Sequence, residues 1–255
     1  MTVSARAFLL VERNFVVYRR AWLIIASGFF EPVFYLLSIG VGLGALVGEV
    51  VDDGRAIDYT TFVAPGLLAA SAMNGVMTDV TSNIFWRLRY GKSYDAILAT
   101  PLGVADVALG EVLVALMRGV VYAAGFLVVM VAMGLVLSWW ALLALPAATL
   151  IAFAFAAFGL AATTFMRHSE DARLVQLALL PLFLFSTTFY PLSEYAPELR
   201  ILVEVTPLYH GIELLRALTT GTVGAGLLGH VAYLAAMSAI SLSVAIRRLD
   251  RRLRI

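Results

Sequence analysis

Three sets of residues in this 255-residue chain have types and spacings that could do chemistry. The first is Gly91-Lys92-Ser93, which ends like a phosphate-gripping loop. That pattern, G-x-x-x-x-G-K-[ST], needs a first glycine so that backbone amides can fold around the phosphates. Trp86 stands at that position, and Arg87, Arg89 and Tyr90 occupy what should be the end of a buried strand, so the motif fails in two places. The second set is the histidines. His168, His210 and His230 lie far apart with no H-E-x-x-H spacing, and there is no G-x-S-x-G nucleophile elbow. With no cysteine either, thiolate metal sites and a thiol nucleophile are excluded, so no catalytic site, metal or cofactor is expected in this chain.

The third set is ionisable residues set in apolar sequence: Glu31, Asp79, Asp106, Glu111 and Arg118. A charge at hydrocarbon depth is costly, so each calls for a partner or a wet cavity. Glu111 and Arg118 are seven residues apart and so share a helix face. Glu31 and Arg118 fall at similar depth on different apolar blocks, which predicts a Glu31–Arg118 ion pair that mainly fixes helix packing.

These residues sit in a chain that is 62% hydrophobic and 14% charged, with mean hydropathy +0.92, which marks an integral membrane protein. A span needs about 20 mostly apolar residues. Six blocks qualify, at about 22–47, 60–82, 105–135, 139–166, 173–191 and 225–246. The expected fold is therefore all-α, one membrane domain over residues 1–255. Fourteen of the 18 basic residues fall on the side of the termini, among them Arg13, Arg20, Arg87, Arg167, Arg247 and Arg251. The other side holds Arg55, Arg200 and Arg216 with eight of the 17 acidic residues. The asymmetry predicts cytoplasmic termini, and it leaves the net charge of +1 without any bearing on nucleic acid.

Three further segments have a readable character. At about 100° per residue, Phe8, Val11, Phe15 and Tyr18 oppose Arg6, Arg13 and Arg20, as in a basic interfacial helix. The stretch 192–224 is oddly apolar for a loop. Leu199, Leu202 and Val203, then Leu208, Ile212 and Leu215, fall at helical spacing around Pro197 and Pro207, which predicts two short helices on or in the outer leaflet. Gly40, Gly44 and Gly48 repeat every four residues and would suit either a homodimer seam or packing within one subunit. Phe183, Phe185, Phe189 and Tyr190 crowd the outer end of the fifth block, either in ordinary packing or as a lining for amphipathic cargo.

In order and placement, "EPVFYLLSIGVGLG" (Glu31–Gly44), "YDAILATPL" (Tyr94–Leu102) and "TPLYHGIELLR" (Thr206–Arg216) resemble the membrane subunits of type-2 ABC exporters. The likeness is to the branch of the nodulation-factor exporter and the daunorubicin-resistance permeases, and it covers nearly the whole chain. It implies a permease half that dimerises in a bacterial plasma membrane and works with two copies of a separate ATPase, which would hold ATP and Mg. It also implies that a coupling helix lies in the loop after the second span, here Lys92, Ser93, Tyr94, Asp95, Ile97 and Leu98. Physically, Ser93 can cap a short helix there and Tyr94, Ile97 and Leu98 give it an apolar edge. The resemblance makes the outer segment re-entrant, with Leu199, Leu202, Pro207, Tyr209, His210 and Glu213 capping the path. Cargo in that branch ranges from amphipathic drugs to lipids and glycolipids. Two rival readings are a stand-alone proton-coupled transporter or channel using Glu31, Asp79 and Glu111, and a structural scaffold suggested by the glycine repeat.

Overall fold

A computed structural model describes residues 30, 33–52, 54–89 and 102–253. The expected interfacial helix, Glu31 and the Lys92–Leu98 stretch lie outside the described residues. The apolar helix α1 (Val33–Val47) leads into strands β1 (Glu49–Asp52) and β2 (Arg55–Asp58), followed by α2 (Tyr59–Leu88). Then come α3 (Val104–Ala132), α4 (Trp139–Thr163), α5 (Glu170–Leu184), α6 (Pro197–Val205), α7 (Pro207–Thr220) and α8 (Leu227–Leu253). Helices α2, α3, α4 and α8 are long and apolar enough to cross a membrane. The protein is a multi-pass, all-α membrane protein with one small antiparallel hairpin.

The hairpin pairs Glu49 with Asp58 and Asp52 with Arg55, and its turn ends at Gly54 with φ 78°. Asp-Gly between two short strands is a strong hairpin signal, because the turn needs positive φ. Asp58 then caps α2, accepting from the amides of Thr60 and Thr61 at 2.9 and 3.3 Å.

Helix α2 is the central post, with nearly all its apolar window buried. Small residues let its neighbours come close. A Cβ on Gly75 would lie 3.1 Å from the Cα of Gly119 on α3, and one on Gly159 of α4 would lie 2.5 Å from Val80. Gly40 and Gly44 of α1 abut Thr60, whose hydroxyl donates to the Gly40 carbonyl at 3.0 Å, so both glycines serve packing within the subunit.

Over Asp79–Asn83 the post widens into a π-helical turn. Such a turn disturbs the backbone ladder, and here the Thr163 hydroxyl of α4 reaches the Val80 carbonyl at 2.9 Å. The fifth apolar block departs from expectation. Its helix, α5, ends at Leu184 after 15 residues, and Phe185–Tyr190 is irregular. Its polar side chains bond both back to α5 and out to the body: the hydroxyls of Ser186 and Thr188 donate to the Leu182 and Phe183 carbonyls, while Ser186 and Thr187 also have partners on Thr206 and Glu213. None of the residues of α5 is buried.

Candidate functional site

Ser71, Asn74 and Thr78 recur at three- and four-residue spacing along α2 and so line one face of it. Across from them stand Gln176, Leu179 and Phe183 of α5 and Tyr35 of α1, and between the three helices lies a cavity of about 400 Å3. Its polar side chains carry amides and hydroxyls, with no carboxylate or cation among the lining residues. The Ser71 hydroxyl is buried and has no hydrogen-bond partner. A helical serine usually returns its hydroxyl to the backbone one turn back, and burial without a partner costs about 1–3 kcal/mol. A visiting hydrogen-bonding group or water would satisfy it. The groove can therefore hold an uncharged polar group while its leucines and aromatic rings hold apolar chain.

Above the groove the irregular segment is locked to α7. Arg216 is 2% exposed, pairs with Glu213 at 2.5 Å, donates to the Thr187 carbonyl at 2.6 Å and lies 3.9 Å over the Phe62 ring of α2. Glu213 also accepts from the Thr187 hydroxyl at 3.0 Å. Thr187 has φ 59°, a strained value for a β-branched residue, held by these bonds. Helix α7 starts at Pro207 behind the Thr206 cap and stops at Gly221 with φ 87°.

Of the four aromatic residues singled out in the sequence, Phe183 lines the groove. Phe189 packs edge-on against it at 5.1 Å, Phe185 is half exposed, and Tyr190 stacks on Tyr195 at 4.6 Å. Leu199 and Leu202 of α6 are exposed, and Pro207 opens α7. His210 and His230, 20 residues apart, meet with Nδ1 atoms 2.8 Å apart, Tyr209 beside both rings. No set of three His, Asp or Glu residues suited to a metal occurs among the described residues.

The opposite end carries a belt of ion pairs between α2 and α3. Arg118 donates to Asp79 at 3.2 Å, Asn83 also bonds to Asp79, and Arg118 reaches the Tyr122 hydroxyl at 3.2 Å. Arg87 donates to both oxygens of Glu111 at 2.9 Å. Arg118 and Glu111 thus each have a partner on α2, whereas the expected partner Glu31 lies outside the described residues. Sequence reasoning missed Arg87 as a partner and missed Ser71, Asn74, Thr78 and Gln176. The usable signal was a row of neutral polar residues, Ser71, Asn74 and Thr78, at helical spacing in an apolar block.

Comparison with known proteins adds a second line of support. The model of the family described as "ABC-2 type transporter" matches residues 6–219. The chain is 30% identical over 245 residues to "Nodulation protein J" of Rhizobium leguminosarum bv. trifolii, covering 95% of this chain and 92% of that protein. It is 31% identical over 245 residues to "Nodulation protein J" of Sinorhizobium fredii, again covering 95% and 92%. To the protein of the same name from Rhizobium meliloti it is 29% identical over 247 residues, covering 95% and 92%.

Proposed function

The chain belongs to the ABC-2 type transporter family, and from that premise we propose that it is the permease subunit of an ATP-driven exporter of an amphipathic drug, lipid or glycolipid. The observation that carries the cargo class is the groove between α1, α2 and α5, where neutral hydrogen-bonding side chains lie beside leucines and aromatic rings. Such a lining suits a molecule with one apolar part and one uncharged polar part.

In this reading the chain crosses a bacterial plasma membrane six times with both termini cytoplasmic, the sixfold count including α1 and the broken fifth block. Fourteen basic residues on the side of the termini support that orientation. Two permease copies work with two copies of a separate ATPase, which supplies ATP and Mg. The ATPase pushes on Lys92–Leu98, and the motion reaches the groove through α2. The ion pairs Arg87–Glu111 and Arg118–Asp79 tie α2 to α3 at that end, so the two helices would move as a unit. Helices α6 and α7 form the re-entrant cap, held on the groove by Arg216 and Glu213.

The rival proton-coupled reading loses support because Asp79 and Glu111, two of its three carboxylates, each face an arginine. Transport by vesicles containing this chain and its ATPase should need ATP and persist after the proton gradient is collapsed. Dependence on the gradient alone would sink the proposal. Replacing Asn74 and Gln176 together by Leu should lower cargo-stimulated ATP hydrolysis while leaving basal hydrolysis unchanged.

A further inference from the structure

A second concavity, of about 550 Å3, lies on the flank of the molecule where the ends of α4, α5 and α8 meet, away from the groove and its lock. Its walls are apolar, made by Phe158, Phe165, Leu174, Val175, Ile240 and Val244. Phe158, Phe165, Leu174 and Ile240 are 44, 54, 63 and 65% exposed, so these walls face outward.

One cation stands at the mouth. Ile240, Val244 and Arg248 are four residues apart and so share one face of α8. The Arg248 guanidinium lies 3.6 Å over the ring of Phe165. Its Nε is buried without a hydrogen-bond partner, and Arg248 takes part in none of the ion pairs among the described residues. An arginine set against apolar helices with no ion-pair partner among the described residues is costly, and the ring face compensates only in part. Arg167, Arg173, Arg247 and Arg251 belong to the same ends of these helices and are exposed, against Glu170, Asp171 and Asp250. The one carboxylate in the lining, Asp171, accepts the amides of Arg167 and His168 on a single oxygen, Oδ2, at 2.7 and 3.1 Å. These bonds hold its pKa below the usual carboxylate value.

We propose that this concavity binds one anionic phospholipid of the leaflet at the basic end, its acyl chains on the apolar walls and its phosphate on Arg248. The guanidinium offers paired donors that match phosphate oxygens. Basic pockets between transmembrane helices select acidic headgroups because a zwitterionic lipid carries its own cation beside the phosphate.

Native mass spectrometry of the detergent-purified chain tests this without ATPase or cargo, so its outcome is separate from that of the transport proposal. The chain is supplied with equal amounts of phosphatidylglycerol and phosphatidylethanolamine. Wild type should retain one phosphatidylglycerol in preference. Arg248→Gln should reduce that preference about tenfold, the loss of one charge-assisted contact, with Arg248→Lys intermediate. Arg251→Gln, at an exposed position and without the contact to the Phe165 wall that Arg248 makes, should keep it. Ala162→Phe fills the concavity with every charge intact and should release the lipid, which keeps the test decisive if Arg248→Gln folds poorly. The proposal is overturned if wild type shows no preference, if Arg251→Gln loses as much as Arg248→Gln, or if Ala162→Phe retains the lipid.

Discussion

Arg216 ties α7 to the irregular segment Phe185–Tyr190 and to α2. It meets Glu213, the Thr187 carbonyl and the Phe62 face from a site that is 2% exposed. Removing one partner of a buried pair leaves the other uncompensated, at about 3–5 kcal/mol. Arg216→Met should therefore lower the melting temperature of the detergent-solubilised protein markedly, and a melt within a degree of wild type would refute the lock. At the other end, Asp79→Ala strands Arg118, and the double variant Asp79→Ala with Arg118→Ala should be more stable than the sum of the singles implies. The cycle should return a coupling of about 0.5–3 kcal/mol, and simple additivity would argue against the pair. None of these partners could be read from spacing. Glu111 and Arg118 stand out as charges in an apolar block, yet which face of which helix they meet depends on a π-helical turn in α2 that places Asp79 toward α3.

Between elements, close approach depends on glycine where two backbones nearly touch. A Cβ on Gly119 would stand 2.7 Å from Val76 and 3.1 Å from Ala152, on two different helices. Gly119→Val should force α2, α3 and α4 apart and destabilise by about 1–3 kcal/mol, as overpacking does. Gly229→Ala on α8 meets nothing within 4 Å and should be neutral or mildly stabilising. Equal melting temperatures for the two variants would show that the α2–α3 seam is not as tight as the backbone positions require. The helical nature of α2, α3, α4 and α8 was legible because each block is long, apolar and uninterrupted by charge runs. The fifth block misled for a physical reason. Apolar composition extends to Tyr190, but the hydroxyls of Ser186 and Thr188 fold back onto the last carbonyls of α5 and Thr187 turns to Glu213 at positive φ, so the helix ends at Leu184 while hydrophobicity continues.

For the whole molecule, the proposed function requires that ATP hydrolysis in a partner be coupled to the groove between α1, α2 and α5. Replacing Tyr94, Ile97 and Leu98 with Asp should leave assembly intact while cargo transport falls and ATP hydrolysis continues. Unchanged transport per ATP would remove that loop from the mechanism. Orientation has its own check, since the chain has no cysteine and single labels are unambiguous. Cysteines at Asp95 and Glu198 should react from opposite sides of the membrane. Glu198 is the better outer position because neighbouring Tyr195 is 5% exposed, too buried to label.

The amino-acid sequence by itself determined that this is a multi-pass helical membrane protein, because backbone groups in lipid must bond within their own segment and length and apolarity then identify helices. It also carried the family, whose model matches residues 6–219. Only the tertiary structure decided where those helices meet. Pairings such as Arg216 with Thr187, His210 with His230 and Arg87 with Glu111 join residues 20 or more positions apart. The grooves exist only where three separate helices leave space between them. Periodicity identifies the face that a helix presents, but the neighbour that covers that face is set by packing of the whole chain.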